Sequence, residues 1–570
     1  MPKYTIKGEG DITLNDRDFV AQGGEKKVYR KGDVGFAIYE PASKMIPVAK
    51  IQELAVLDDP RIIRPDKILM QGKQIVGHTM RFVDNTTPVI QLFTKAFRQR
   101  NQITPEMMVK LVKVLQGLVS FVHGKGVLIV DLNELNWLAN QTFTDLFGID
   151  VNSYQTANFP ATALMDSVRD RHMKPGEFSQ ETDWFSFGII AFQMLIGIHP
   201  YKGKHPDYDH MSLDDKINAR MTKNVSVFDP KAVVPKVCYP LDAIPTGLRQ
   251  WMEAVFQNGL RAAPPSDYDA LVQLISHLKE VVGANLFEIV ELGTYDSDIV
   301  SYCKNFGTQV VCTEQSVYVD GRAQKWSKLP KIGFTPKMNV PVGLTLDNQG
   351  LVNVVNLRTG AKIDLPLRAD DAMSCDGRLY LRQDTSVLEV VFTELGNNIL
   401  ASTKTAARVL DVPEATKIFE NVIIQNLLGR WHISVFPESG KCYQVAIPDL
   451  DDYRVIDAKF DNKVLMVVGE KNGQYDRFVF RLNDAYNKYD VRKVENITYT
   501  GLNFTVAEHG ACVCINEDEK VELFSNKIGS AQVKIMDDPA VDSAWKMFHE
   551  GTTVLFAHGS KLYKISMKSK

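Results

Sequence analysis

The chain has 570 residues, more than one hydrophobic core organises at roughly 100 to 200 residues per domain, so two large domains are expected. Its 66 basic and 69 acidic residues leave a formal net charge of -3, which excludes an overall field drawing the protein to nucleic acid or to a membrane. A content of 45% hydrophobic and 24% charged residues excludes a disordered, collagenous or coiled-coil chain.

The N-terminus, MPKYTIKGEGD, has no apolar run behind a positive cap, so no secretory leader is expected and a cytoplasmic location is. From Asp18 to about Tyr39 short β-type runs alternate with turn residues, which predicts three antiparallel strands. Pro47 then opens an amphipathic helix carried by Val48, Ile51, Leu54 and Leu57. Thr104 can cap a helix that begins at Pro105 and stops near Gly124. Trp184 to Ile196 reads as a buried helix, too short for the roughly 20 residues of a membrane span. Helices are also expected near Leu248 to Val255 and from about Ser266 to Val282.

After Gly283 the pattern changes to short strands separated by Gly, Asn and Asp turns. About 285 residues follow, which at roughly 40 to 45 per four-stranded blade make six or seven blades of a β-propeller. No strict repeat is present, and a pair of β-sandwiches is the alternative. Asn472-Gly473 is the dipeptide preferred in a type I′ hairpin turn, where both central residues need positive φ. The seven cysteines lack the paired spacing of a zinc site and are expected reduced and buried, with Cys512 and Cys514 on one face of a strand.

The segment Val122 to Asn136 places an Asp five positions before an Asn, after a helix, a glycine and a short apolar strand. It resembles the protein-kinase catalytic loop. Phe147-Gly148-Ile149-Asp150-Val151-Asn152 stands where that family carries its metal-chelating Asp-Phe-Gly, and Asn152 can support a left-handed turn. Asp183-Trp184-Phe185-Ser186-Phe187-Gly188 is similar to the motif that opens the family's buried helix, with the Asp bracing the catalytic loop, although Asp183 also reads as an N-cap. Gly197-Ile198-His199-Pro200-Tyr201 is similar to the turn that follows that helix.

The resemblance implies a multidomain protein: an α+β bilobal protein-kinase-like fold over residues 1–283, with a small lobe to about 83 and a large lobe from about 84, followed by an all-β domain over 284–570. It implies ATP and Mg²⁺ as cofactors, Asp131 as catalytic base, and Asn136 and Asp150 as metal ligands. The small lobe departs from the family. Gly23 matches the middle glycine of the phosphate-covering loop and Gly24 follows it, while Ala21 and Lys26 occupy the other two glycine positions. Tyr39 replaces the phosphate-binding lysine, so Lys26 becomes the catalytic cation in the manner of the family's with-no-lysine members. Glu53 is then its expected partner, and Lys50 a second phosphate contact. Arg81 and Val83 belong to the hinge expected to cup adenine. Ile129-Val130-Asp131 lacks the arginine that receives a phosphorylated activation loop, and Asn133 replaces a catalytic-loop lysine.

Two functions are therefore expected in competition. One is phosphoryl transfer from ATP to Ser or Thr hydroxyls, with the β domain recruiting a protein substrate or partner. The other is a pseudokinase scaffold. Neither implies nucleic acid or membrane, and the style of the motifs is similar to bacterial and bacteriophage kinase-like proteins.

Overall fold

The computed structural model describes residues 2–266, 268, 284–396, 398–408, 412–498, 500–530 and 532–568. The helix expected from Ser266 to Val282 falls almost wholly outside them. What is described is an N-terminal α+β region and a large C-terminal region built only of β-sheets and short connections.

The N-terminal region opens with β1 (Lys3–Ile6) and β2 (Gly10–Thr13), followed by β3 (Phe19–Gln22), β4 (Lys26–Lys31) and β5 (Val34–Tyr39). Helix α1 (Val48–Leu54) separates β5 from β6 (Pro65–Gln71) and β7 (Gln74–Arg81). These seven strands form one antiparallel sheet in the order β2-β1-β6-β7-β5-β4-β3. The three strands β3 to β5 were legible as alternation, whereas β1 and β2 are four residues each and pair through a tight turn with little periodicity to display. Gly77 is required where β7 meets β5, because a Cβ there would lie 1.9 Å from the Ala37 carbonyl oxygen. Helix α1 ends at Leu54, a turn before Leu57, yet Leu57 stays buried in the same core.

The helices that follow are α2 (Lys95–Arg100), α3 (Pro105–Gly124), α4 (Gln180–Ile196), α5 (Leu213–Lys223) and α6 (Thr246–Phe256). The Thr104 side chain accepts from Met107 N, and Pro105 occupies the first turn of α3, where no intrahelical N–H is lost. Helix α4 is buried along almost its whole length and ends at Gly197, whose φ of 94° closes it in the left-handed region. Among the described residues α3 is the one helix long and apolar enough to cross a membrane, and half of that stretch is buried in the core.

From Phe287 onward the described residues form seven four-stranded antiparallel sheets. Six are contiguous, spanning 299–325, 331–363, 371–407, 416–446, 454–494 and 504–536. The seventh joins Phe287–Thr294 to the last three strands, Lys546–Glu550, Thr553–His558 and Lys561–Met567. Asn472 and Gly473 connect two strands with φ of 55° and 81°, as the hairpin chemistry requires. All seven cysteines are free; five are buried, but Cys303 and Cys442 are only half-buried, a correction to the expectation for the set. Cys512 and Cys514 share one apolar cluster.

The two regions share a core. Ile456, Val468, Tyr475 and Ile497 of the sheet over 454–494 pack into the cluster that contains α3 and α4. On the other side, Phe19 of β3 packs with Val412 and Ala415, and Arg30 of β4 pairs with Glu414. The β region therefore touches the N-terminal region both at its sheet and at its helices.

Candidate active site

The Val122–Asn136 segment leaves the end of α3 through Lys125-Gly126 and enters a loop held from below by Asp183. This carboxylate accepts the backbone N–H groups of Ile129 and Val130, each at 2.8 Å, and meets Nε2 of His123 at 2.9 Å. Ser179, not Asp183, caps α4, in a reciprocal box with Thr182. Asp183 is thereby free to brace the loop, and Val130 is held at φ 63° immediately before Asp131.

Asp131 is buried. Its Oδ1 accepts the Met165 backbone N–H at 2.6 Å, and its Oδ2 faces Nδ2 of Asn136 at 3.3 Å. Nδ2 of Asn136 also donates to the Asp131 carbonyl at 3.1 Å, and the Asn136 carbonyl accepts Ile149 N at 2.9 Å. Burial pushes the Asp131 carboxyl above its ordinary range, against the hydrogen bonds from Met165, Asn133 and Asn136.

Asp150 follows the short strand Leu146–Gly148 and takes the left-handed conformation itself, with φ 60° and ψ 30°. The left-handed residue expected at Asn152 is thus Asp150, and Asn152 instead accepts a hydrogen bond from Lys26. The Lys26 ammonium lies 2.6 Å from Asp150 Oδ1 and 2.7 Å from Asn152 Oδ1. Burial opposes ionisation of Asp150, but the charge and hydrogen bond of Lys26 prevail and hold its carboxyl below the usual range.

The structure thus pairs Asp131 with Asn136 and Lys26 with Asp150, and ties the two pairs together through the backbone bond from Ile149 to Asn136. Gly23 and Gly24 form the turn before Lys26, with Gly23 N donating to the Lys26 carbonyl at 2.9 Å. Glu53 does not pair with Lys26. Its carboxylate accepts Nδ2 and N of Asn158, at 2.7 and 3.3 Å, because α1 faces the segment after Asp150 rather than the glycine turn. Lys50 likewise directs its ammonium to the Pro160 carbonyl at 3.3 Å. Arg81 ends β7 opposite Val34 and sends its guanidinium to the Pro60 carbonyl at 2.7 Å, while Val83 is half-buried just beyond.

The sequence marked Tyr39 only as the place of a missing lysine and did not single out His78, Glu134 or Asp170. Tyr39, in the place of the absent lysine, is buried with its hydroxyl 3.3 Å from Nε2 of His78, whose pKa burial brings down to about 4. A neutral Tyr-His pair occupies that corner of the sheet, and the only sequence signal was the exception His78 makes in an apolar strand. Glu134, fully enclosed between Asp131 and Asn136, is hydrogen-bonded by the Tyr475 hydroxyl of the β region. Asp170, in the segment after Asp150, forms a two-point pair with Arg261 at 2.5 and 2.8 Å that ties the segment to the residues after α6.

No protein-family model matches the chain, and none of the curated proteins does. Among solved structures, the kinase PK-1 of Cydia pomonella granulovirus is similar at 14% identity and a TM-score of 0.28, over 36% of this chain and 74% of the other. A superposition that loose carries no argument, so the reading of the site rests on its own geometry.

Proposed function

We propose that the N-terminal region is a protein-kinase-like domain that binds ATP with Mg²⁺ and transfers a phosphoryl group to Ser or Thr hydroxyls of a protein. The observation that carries this reading is the meeting of Lys26 with Asp150 across 124 residues of chain, beside a loop in which Asn136 and Asp131 touch. A buried carboxylate with a raised pKa suits acceptance of a hydroxyl proton. Asp150 and the side-chain Oδ1 of Asn136 would hold Mg²⁺, a donor set of hard oxygens that fits an ion completed by phosphate and water. Among the described residues no cluster of three or more His, Cys, Asp or Glu could form an all-protein metal cage, which agrees with so sparse a set. When bound, the ion would neutralise phosphate charge. Lys26 would turn from Asp150 to the phosphates, Asp183 would keep the loop in place, and Asp131 would orient and deprotonate the acceptor.

The seven sheets, with the last completed by Phe287–Thr294, fit a seven-bladed propeller closed by pairing of its two chain ends. In this reading the propeller recruits the protein substrate or partner, with the domain boundary near 283.

A second reading, an ATP-binding pseudokinase, is favoured by one contact: the Met165 N–H already fills one oxygen of Asp131. Thermal stabilisation by ATP with and without Mg²⁺, followed by radiolabel transfer in wild type and Asp131→Ala, separates the two. Transfer lost in Asp131→Ala supports the kinase; binding that vanishes in Asp150→Ala with no transfer by wild type supports the pseudokinase. Absence of ATP binding ends both.

A further inference from the structure

The turn that joins the strands Val464–Lys471 and Gln474–Leu482 of the β region rests on the residue that fills one oxygen of Asp131. A Cβ on Gly473 would lie 2.9 Å from Cγ and 3.3 Å from Sδ of Met165, so the turn bears directly on the Met165 side chain. This close approach requires glycine, whose φ of 81° there also lies in the left-handed region. Met165 in turn sends its backbone N–H to Oδ1 of Asp131 at 2.6 Å. A continuous line of contacts therefore runs from the β region through Met165 to the carboxylate read as the base.

The hairpin is fixed at both ends. Its body belongs to the shared core: Tyr475 bonds Glu134, Val468 and Tyr475 pack among the residues of α3 and α4, and the Lys202 ammonium stands 5.8 Å from the centroid of the Tyr475 ring. Near the turn, Nε2 of Gln474 and Nδ2 of Asn496 donate to the same Oδ2 of Asp214, at 2.9 and 2.8 Å, in the first turn of α5. The strands are buried from Val464 to Glu470 and from Tyr475 to Phe480, whereas Asn472 and Gln474 at the tip are exposed. Glu134, Met165 and the start of α5 thus all meet this hairpin or its sheet, and Asp131 is left 7% exposed. With Oδ1 taken by Met165 and Oδ2 facing Asn136, the carboxylate offers an incoming hydroxyl neither oxygen unshared.

We propose that the Asn472-Gly473 turn is an autoinhibitory wedge: by bearing on Met165 it keeps the Met165 N–H on Asp131 and shuts out the acceptor hydroxyl until the turn is withdrawn. This rests on the phosphoryl-transfer reading above, and it makes the Met165 contact a reversible block rather than the mark of a dead site. The strands are packed into the core and the tip is not, so withdrawal is a movement of the tip that leaves the two regions joined.

Two variants of the full chain release the wedge. Met165→Ala removes the side chain on which the turn bears, and Asp214→Ala removes the anchor of Gln474 and Asn496. Transfer of labelled phosphate from ATP with Mg²⁺, to dephosphorylated casein and to water, should rise about ten-fold in each, the scale of one hydrogen bond to a carboxylate. Amide exchange at Met165 should quicken in step. A gain in rate is the readout that a merely structural loss does not give. A wild type that transfers phosphate, with both variants no faster, overturns the inference and leaves the kinase reading standing. Absence of transfer by wild type and by both variants overturns the two together. Should Met165→Ala disturb the segment that carries it, Asp214→Ala, an exposed position on α5, carries the test alone.

Discussion

The Lys26 ammonium sits 2.6 Å from the Asp150 carboxylate, joining the strand after the glycine turn to the residue proposed to hold the metal. In this state the cation occupies the charge that a divalent ion would seek. Mg²⁺ without nucleotide must compete with Lys26 for Asp150, whereas Mg²⁺ with ATP offers Lys26 a phosphate in exchange.

Lys26→Met is therefore expected to act in opposite directions on two ligands. It should tighten the binding of Mn²⁺ alone, measured by electron paramagnetic resonance, and weaken the binding of ATP with Mg²⁺ about ten-fold or more. A variant that weakens both equally would mean that Lys26 builds the metal site rather than guarding it.

Asp183→Ala is expected to leave the N–H groups of Ile129 and Val130 buried without acceptors, at about 1 to 3 kcal/mol for each. Urea unfolding should report the loss as a lower midpoint with an unchanged slope. Because Asp183 also fixes the left-handed turn at Val130, ATP-dependent transfer should fall further than stability does. A stable Asp183→Ala protein with full transfer would show that the loop holds itself in place.

The contact between Tyr475 and Glu134 links the β region to the Val122–Asn136 segment inside a buried core. Burial raises the Glu134 carboxyl, and the Tyr475 hydroxyl is the partner that offsets this in part. Among the described residues Oε2 of Glu134 has no side-chain partner, so Tyr475→Phe would remove the one side-chain hydrogen bond this buried carboxyl has, costing about 1 to 3 kcal/mol. The sign with pH is fixed by the raised folded pKa: the unfolded chain releases its proton first, so stability falls as pH rises through the ordinary carboxylate range, and the variant should fall more steeply. Midpoints from pH 4 to 8 that run parallel in the two proteins would contradict this.

How much of this was readable in the sequence follows from the range over which each feature is decided. Thr104, Pro105 and Gly124 delimit α3 locally, and Asn472-Gly473 encodes its own turn, so both were legible residue by residue. The five-residue spacing of Asp131 and Asn136 was readable because the two meet within one tight loop, whose geometry is set locally. Glu53 failed as a partner of Lys26 because its neighbour is chosen by how α1 packs on the segment at Asn158, a tertiary matter that no local pattern records. The cap of α4 was misplaced for a related reason: Asp183 has the chemistry of a cap, but Ser179 begins the helix one turn earlier. Tyr475 and Met165 could not be found from sequence, since each meets its partner only through the tertiary fold.

A further junction between the regions, at α2, makes a prediction about acid. Glu420 of the β region is bound by Arg100 of α2 and lies 3.1 Å from Lys459. Burial alone would raise its carboxyl, but Lys459 and Arg100 outweigh burial and bring it from 4.5 down to about 2. A depressed folded pKa means that the contribution is fully present above pH 4.5 and is lost as pH falls toward 2. Glu420→Gln should therefore unfold at lower urea than wild type at pH 7, with the difference shrinking steadily below pH 4.5 as wild type itself takes up the proton. The same titration should leave the difference untouched between pH 5 and 7, because neither state binds a proton at Glu420 there. A gap that stays constant from pH 7 to pH 3 would mean that Glu420 contributes through packing or hydrogen bonding alone, and that its charge does not hold the two regions together.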